Sequence, residues 1–216
     1  AIGAVNAVAF DISAACAGFI FAMNIVEGFF KAGIYKTALI IGAETLSKVT
    51  DWSDRGTCVL FGDGAGAAVL KAEETGIIDM MMGADGTKGD VLACTSRTVG
   101  NFLTGTKPEL GFMTMDGQEV FKFAVRKVPE SVMELLQRTG TKKEDIKYYV
   151  LHQANERIIE AAARRLKEPM EKFPMTISQF GNTSTASIPL LLDDMIRKDL
   201  LQNGTNFRVC RGGSHV

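Results

Sequence analysis

Cys16 is the residue whose surroundings best suit covalent chemistry. It lies in the segment DISAACAGF, between a strand-like apolar run at residues 5–10 and an apolar helical run at residues 16–32. A thiol at the start of a helix is close to unpaired amide N–H groups and to the positive end of the helix dipole, and both favour the thiolate. The sequence therefore indicates a nucleophile, with a buried cysteine that acts as a small hydrophobic residue as the alternative.

Two other polar residues stand at turns that lead into helices. His152 follows the apolar run at residues 148–151, and Asn182 lies in the segment FGNTS ahead of another helical run. Cysteine, histidine and asparagine together suit acyl transfer, because a thiolate can carry the acyl group while imidazole and carboxamide donors stabilise a carbonyl oxygen that gains charge. A structural histidine and an ordinary glycine–asparagine turn are the alternatives.

The elements that must position these residues indicate an α/β protein. Apolar runs predict strands at residues 5–10, 37–42, 57–61, 65–71, 76–82 and 147–151. Helical spacing predicts helices at residues 16–32, 117–139, 156–166 and 185–198. Pro129 predicts a kink or a junction in the second of these helices. The Gly- and Thr-rich stretch at residues 83–108 is predicted to be a long connecting loop.

Composition excludes several classes of function. The 216 residues have a net charge of −1 and a pI near 6.2, which argues against non-specific nucleic-acid binding. The longest apolar run, at residues 17–26, is too short to span a membrane. Four widely spaced cysteines and two histidines do not form a disulfide or metal-binding pattern, so a reducing cytosol is the expected compartment.

The glycine-rich segment GDGAGA at residues 62–67 superficially resembles a dinucleotide-binding motif. Such a motif needs its glycines to open a helix after a strand, whereas residues 65–71 have the pattern of a strand. We therefore interpret these glycines as positions where two strands turn and pack tightly.

Four segments in order resemble the active-site segments of the β-ketoacyl-acyl carrier protein synthase III family of the thiolase superfamily. They are DISAACAGF (11–19), DRGTCVLFGDGAGAAVL (54–70), HQANERI (152–158) and FGNTSTAS (180–187). The resemblance implies a thiolase-like layered αβαβα fold with two similar halves, the first incomplete. Residues 1–88 would form the remainder of the first half with the nucleophilic cysteine. Residues 89–115 would be a connecting loop region, and residues 116–216 the second half with the histidine and the asparagine.

The resemblance also implies a reaction and its participants. Cys16, His152 and Asn182 would be catalytic in a decarboxylative Claisen condensation of acyl-coenzyme A with malonyl-acyl carrier protein, which starts fatty acid synthesis. The enzyme would be a cytoplasmic homodimer that needs no cofactor or metal and has no nucleic-acid or membrane partner. Coenzyme A would contact Arg55, Gly117, Gln118, Phe121, Ala154 and Asn155, with Gln118 standing where the family commonly has asparagine.

A basic cluster on two predicted helices would receive the acyl carrier protein, which is acidic. Its members are Lys122, Arg157, Arg164 and Arg165. A solvated helical face is the ordinary alternative for such charges.

The resemblance is weakest at the two ends of the sequence. Family members carry a βαβ region ahead of the nucleophile and finish with an FGGG-type loop and a strand, and one N–H of that loop contributes to the oxyanion hole. Here RGG at residues 211–213 is the nearest match. We therefore expect the 216 residues alone to be inactive and prone to aggregate through an exposed apolar sheet edge. A Cys–His hydrolase, another thiolase-superfamily condensing enzyme that uses coenzyme A thioesters, and a silent fragment that dimerises or binds coenzyme A remain alternatives.

Overall fold

The computed structural model of the chain describes residues 2–74, 76–94, 100–107 and 111–202, together with the backbone of residues 207–210. The described strands are β1 (Thr37–Glu44), β2 (Gly64–Lys71), β3 (Leu92–Cys94), β4 (Met113–Met115), β5 (Tyr148–Leu151) and β6 (Phe207–Cys210). The described α-helices are α1 (Gly18–Lys31), α2 (Gly117–Thr139), α3 (Glu156–Leu166), α4 (Ile177–Phe180) and α5 (Ser187–Arg197). No helix in these ranges is long and apolar enough to cross a lipid bilayer.

Strands β1 and β2 form an antiparallel pair in which Thr37 lies opposite Lys71 and Glu44 lies opposite Gly64. One face of the pair packs against α1 and α5. The absence of a side chain at Gly42 matters there, because a Cβ at this position would lie 2.9 Å from Thr185 Cγ2. The opposite face carries apolar side chains that remain exposed, namely Leu39, Ile41 and Val69.

Strand β5 lies between two hydrophobic clusters because its side chains alternate in direction. Val150 packs with residues of α1, β1 and α5. Tyr149 and Leu151 point the other way and pack with the buried sides of α2 and α3. β5 therefore ends between two layers of helices. β6 lies beside β5 and pairs with it in parallel.

Local capping fixes where α2 and α3 begin. Asp116 accepts hydrogen bonds from the N–H groups of Gln118 and Glu119 at 3.0 and 3.1 Å. Asn155 caps α3 in the same way, with its Oδ1 2.9 Å from Arg157 N. Capping of this kind satisfies amide groups that have no partner within the helix.

Three of the predicted strands are wrong. Residues 5–10 have no regular structure and are exposed, with Val5 91% exposed. Residues 57–61 turn back on themselves because the Asp54 carboxylate accepts from Gly56 N and Thr57 Oγ1, and its carbonyl accepts from Cys58 N. Residues 76–82 also have no regular secondary structure.

Two other expectations need correction. Residues 83–108 are not simply a loop, because they contain a 3₁₀ helix at Gly86–Val91 and strand β3, which pairs with β4. Pro129 is not a junction between two shorter helices, because α2 runs through it as one helix; a kink there stays a prediction. The segment at residues 211–213 lies outside the described residues.

Candidate active site

Cys16 lies in a 3₁₀ turn, Ala15–Ala17, that leads directly into α1. Ala15 has a φ of 43°, in the left-handed region that non-glycine residues seldom adopt. Such a conformation costs roughly 1–3 kcal/mol and persists only where neighbouring structure holds it. Here Thr185 Oγ1 donates a hydrogen bond to the Ala15 carbonyl at 2.6 Å. The half-buried Cys16 side chain is thereby presented from a constrained turn.

His152 immediately follows β5 and is buried, with 5% of its surface exposed. Its Nδ1 atom lies 2.6 Å from Ser187 Oγ, at the start of α5. The next residue, Gln153, anchors the loop on both sides: its Nε2 donates to the Leu151 carbonyl at 2.8 Å and its Oε1 accepts from Thr176 N at 2.9 Å. These bonds hold the imidazole in a defined position.

Asn182 is held by main-chain bonds on both sides. Its N–H donates to the Leu60 carbonyl at 2.8 Å, and its carbonyl accepts from Gly62 N at 3.0 Å. Its side-chain Oδ1 accepts from Ser184 N at 2.9 Å. This bond fixes the orientation of the carboxamide, and its Nδ2 group is the donor that the side chain can offer to a ligand.

These three polar residues line one cavity of about 170 Å³, although they are far apart in the sequence. The remaining walls are mainly apolar and come from several elements, including Leu60, Phe61, Leu92, Met115, Val120, Ala124, Val128, Leu151, Ile158 and Ile159. An apolar cavity with a few convergent polar groups is typical of a ligand site. A thiol beside two hydrogen-bond donors can hold an acyl group and stabilise charge on its oxygen.

The residues predicted to contact coenzyme A divide into two groups. Gly117, Phe121, Ala154 and Asn155 line the cavity. Arg55 and Gln118 do not; both are exposed, and each is the sequence neighbour of a lining glycine.

The predicted basic cluster lies outside the cavity on the packed helices α2 and α3. All four members, Lys122, Arg157, Arg164 and Arg165, are exposed. Lys122 lies 2.7 Å from Glu119, and hydrogen bonds from Lys122 and Lys88 lower the pKa of Glu119 to about 2. Arg165 donates to the Val125 carbonyl at 3.0 Å. The cluster therefore lies next to an acidic group, Glu119, that stays ionised at neutral pH.

Sequence reasoning did not single out Gln153, Thr185 and Ser187, although each contacts or supports a predicted site residue. The available signal was the unusual density of hydroxyl groups at residues 183–187, directly before the apolar first turns of a helix. Small hydroxyl residues at such positions commonly form local hydrogen bonds with the backbone.

The fold and this site define a thiolase-like α/β protein. The solved 3-oxoacyl-[acyl-carrier-protein] synthase III of Aquifex aeolicus is similar, with a TM-score of 0.84 and 43% identity over 94% of this chain and 62% of that one. The corresponding structure from Pseudomonas aeruginosa has a TM-score of 0.86 and 37% identity over 97% of this chain and 64% of that one. The expected fold class is confirmed.

Sequence comparison assigns the family within that class. Residues 10–86 match the family model for 3-oxoacyl-[acyl-carrier-protein] synthase III, and residues 136–213 match the model for its C-terminal part. The Clostridium acetobutylicum β-ketoacyl-[acyl-carrier-protein] synthase III is 50% identical over 96% of this chain. The chain belongs to the β-ketoacyl-[acyl-carrier-protein] synthase III family. It spans 65% of the length of that Clostridium relative.

Proposed function

We propose that this protein is a β-ketoacyl-acyl carrier protein synthase III, which condenses acyl-coenzyme A with malonyl-acyl carrier protein. One observation carries the proposal: Cys16, His152 and Asn182, from three distant segments, line the same apolar cavity. A half-buried thiol in an apolar cavity with two oriented donors suits an acyl-enzyme that reacts with carbon rather than with water. Membership of the family supports this choice of substrates.

The first half-reaction transfers the acyl group. The Cys16 thiolate adds to the thioester carbonyl of acyl-coenzyme A, and the new C–S bond forms as the bond to the coenzyme A sulfur breaks. The departing coenzyme A thiolate takes up the proton that the Cys16 thiol gave up. Apolar walls from β3, β4 and α2 surround the acyl chain. Coenzyme A itself would extend past Phe121, Ala154 and Asn155 towards the exposed Arg55 and Gln118.

The second half-reaction forms the carbon–carbon bond. The malonyl thioester loses carbon dioxide, and the electrons of the broken C–C bond become an enolate. His152 and Asn182 donate hydrogen bonds to the thioester oxygen on which this negative charge develops. The enolate carbon attacks the acyl-Cys16 carbonyl, the C–S bond breaks, and the Cys16 thiolate is regenerated. No redox step is involved, and release of carbon dioxide drives the reaction.

The basic cluster would guide the malonyl-carrier protein to this cavity. Its arginines are exposed on α3, the helix whose first turn contributes Ile158 and Ile159 to the cavity wall. Opposite charges on two partners accelerate their encounter and orient it.

We further propose a cytoplasmic homodimer. The wide spacing of the cysteines supports the cytoplasmic location. The exposed apolar face of β1 and β2 supports the homodimer, because a second subunit could bury such a face.

Product analysis tests the proposal directly. The protein expressed from its complete reading frame is incubated with acetyl-coenzyme A and malonyl-acyl carrier protein, and the products are separated by mass spectrometry. A carrier protein bearing a 3-oxoacyl chain, together with carbon dioxide, is expected. Free acid without chain extension would instead indicate a hydrolase, and no acylation of Cys16 would indicate a silent protein. Cys16→Ser provides the matched inactive control.

A further inference from the structure

We infer that Ser187 is a positioning residue that fixes the tautomer of His152, so that the neutral imidazole carries its hydrogen on Nε2. The inference rests on the proposed function and deepens it, because it explains how His152 is prepared to donate a hydrogen bond. It follows from a count of hydrogens and lone pairs around one buried hydroxyl group.

Two groups surround that hydroxyl. Ser187 Oγ lies 2.6 Å from His152 Nδ1 and 3.3 Å from Gln153 N. Ser187 and His152 are both buried, with 2% and 5% of their surfaces exposed. The backbone N–H of Gln153 can only donate, so it occupies a lone pair of the hydroxyl oxygen. One hydroxyl hydrogen and one further lone pair remain.

The remaining bond can be arranged in two ways. If Nδ1 carried a hydrogen and donated it to Ser187 Oγ, the hydroxyl hydrogen would need another acceptor. Among the described residues, Ser187 Oγ makes no hydrogen bond besides those to His152 and Gln153. A buried O–H group without an acceptor carries its full desolvation penalty. The favoured arrangement is therefore the one in which Ser187 O–H donates to Nδ1.

This arrangement determines what the imidazole can do. When Nδ1 accepts a hydrogen bond, the hydrogen of the neutral ring is on Nε2. The ring is then ready to donate from Nε2 in the cavity that His152 lines with Cys16 and Asn182. The opposite tautomer would offer a lone pair at that position and would repel an oxygen that gains negative charge.

The same short segment orients both donors. Ser184 N donates to Oδ1 of Asn182 and thereby fixes the direction in which its Nδ2 donor points. Ser187, three residues later, does the corresponding task for the imidazole. The hydroxyl-rich run that leads into α5, Thr183 to Ser187, thus sets the hydrogen-bonding direction of two residues that come from different parts of the chain.

Nitrogen-15 NMR of the histidine ring tests the inference without any substrate. The signals of the His152 ring are identified by their loss in a His152→Gln variant. At a pH where the ring is neutral, we expect His152 to be in the Nε2–H form and Ser187→Ala to shift it towards a mixture. Thr50→Val is the control, because it removes a buried hydroxyl that donates instead to the Leu46 carbonyl at 2.8 Å. It should leave the His152 signals unchanged.

Kinetics give an independent readout. Ser187→Ala should slow malonyl decarboxylation about tenfold or more, as expected when a reacting group is misoriented, and should spare acylation of Cys16. Ser187→Thr, which keeps the hydroxyl, should restore most of the rate. Ser187→Ala should add nothing to His152→Ala, because it acts through that ring.

Two results would overturn the inference: a wild-type His152 that is predominantly Nδ1–H, or a Ser187→Ala protein with unchanged tautomer and unchanged decarboxylation. The wild-type spectrum decides the question even if a variant fails to fold. Absence of condensation in the wild type would overturn the proposed function instead, while the spectrum would still report the tautomer.

Discussion

Thr185 Oγ1 donates a hydrogen bond to the Ala15 carbonyl at 2.6 Å, across 170 residues of sequence. The bond joins the turn that presents Cys16 to the segment that carries Asn182. Ala15 is held at a positive φ on one side of it, and Ser184 has a positive φ of 49° on the other. Two turns with positive φ are thus joined to each other, and we expect the spacing of Cys16 and Asn182 to depend on that contact.

Removal of the Thr185 hydroxyl should therefore affect both stability and acylation. Thr185→Val keeps the shape of the side chain but loses the bond, which should lower the free energy of unfolding by about 1 kcal/mol. Relaxation of the Ala15 turn should also slow formation of acyl-Cys16. Urea unfolding and mass spectrometry measure the two effects, and Thr185→Ser is the control that retains the hydroxyl. Equal behaviour of the valine variant and the wild type would contradict the role of this contact.

Cys16 should be the most reactive of the cysteines towards iodoacetamide. Exposure alone would favour Cys94, which is exposed, over the half-buried Cys16 and Cys58. A position at the start of α1 favours the thiolate, so Cys16 should be alkylated first and acetyl-coenzyme A should protect it. Peptide mapping at short reaction times makes the comparison. If the labelling rates instead followed the exposure of the cysteines, and acetyl-coenzyme A did not protect Cys16, the proposal that Cys16 is the nucleophile would be contradicted.

His152→Ala and Asn182→Ala should suppress malonyl decarboxylation by about 100-fold or more, with much less effect on acylation of Cys16. Asn182→Asp sharpens the test, because it keeps the side-chain shape and replaces the Nδ2 donor with oxygen. It should be as impaired as the alanine variant. Release of labelled carbon dioxide and single-turnover acylation report the two half-reactions. If Asn182→Asp lost acylation but kept decarboxylation, the assignment of roles would be reversed.

Carrier-protein binding should depend on the exposed arginines of α3. The double variant Arg164→Glu, Arg165→Glu should raise the KM for malonyl-acyl carrier protein, and added salt should raise it for the wild type. Arg197→Glu with Lys198→Glu makes the same change in net charge at the end of α5, where both side chains are paired with neighbouring aspartates. That control should leave the KM near the wild-type value. A similar KM for both double variants would discard the proposed docking surface.

The exposed face of β1 and β2 should make the 216-residue chain aggregate when it is expressed alone. Ile41 and Val69 are 62% and 71% exposed on this face. Replacing both by threonine keeps strand propensity and removes apolar surface, so turbidity and dye binding should fall. Ile40→Thr, at the adjacent buried position, should instead lower the melting temperature. Unchanged aggregation of the double variant would show that this face of β1 and β2 does not cause it.

Helices were the most predictable part of the fold. The observed bounds of α2 and α3 coincide with the predicted ranges, because each has a periodic apolar stripe and an asparagine or aspartate at its start. Strands 37–42, 65–71 and 147–151 were also found, with small differences at their ends. Apolar runs at 5–10, 57–61 and 76–82 were misleading, because a strand needs a partner and an apolar run reports only a tendency to be buried.

The candidate site was predictable where chemistry shows in the residue type. Cys16, His152 and Asn182 were each found from their type and their place before a helix, and the structure brings all three to one cavity; their catalytic roles remain predictions. Ser187 and Gln153 could not be found in this way. Their importance comes from hydrogen bonds to residues that become neighbours only in the folded chain. The division at residues 88 and 115 also remains a prediction.

Thr185 fills the gap between β1 and the start of α1, since a Cβ at Gly42 would lie 2.9 Å from its Cγ2 and a Cβ at Gly18 would lie 2.6 Å from its Oγ1. Neither glycine lines the cavity. A single added methyl group at either position should nevertheless displace Thr185, and through its bond to the Ala15 carbonyl we expect Cys16 to shift as well. Substitutions at two glycines outside the cavity should therefore alter the geometry of the residues that line it.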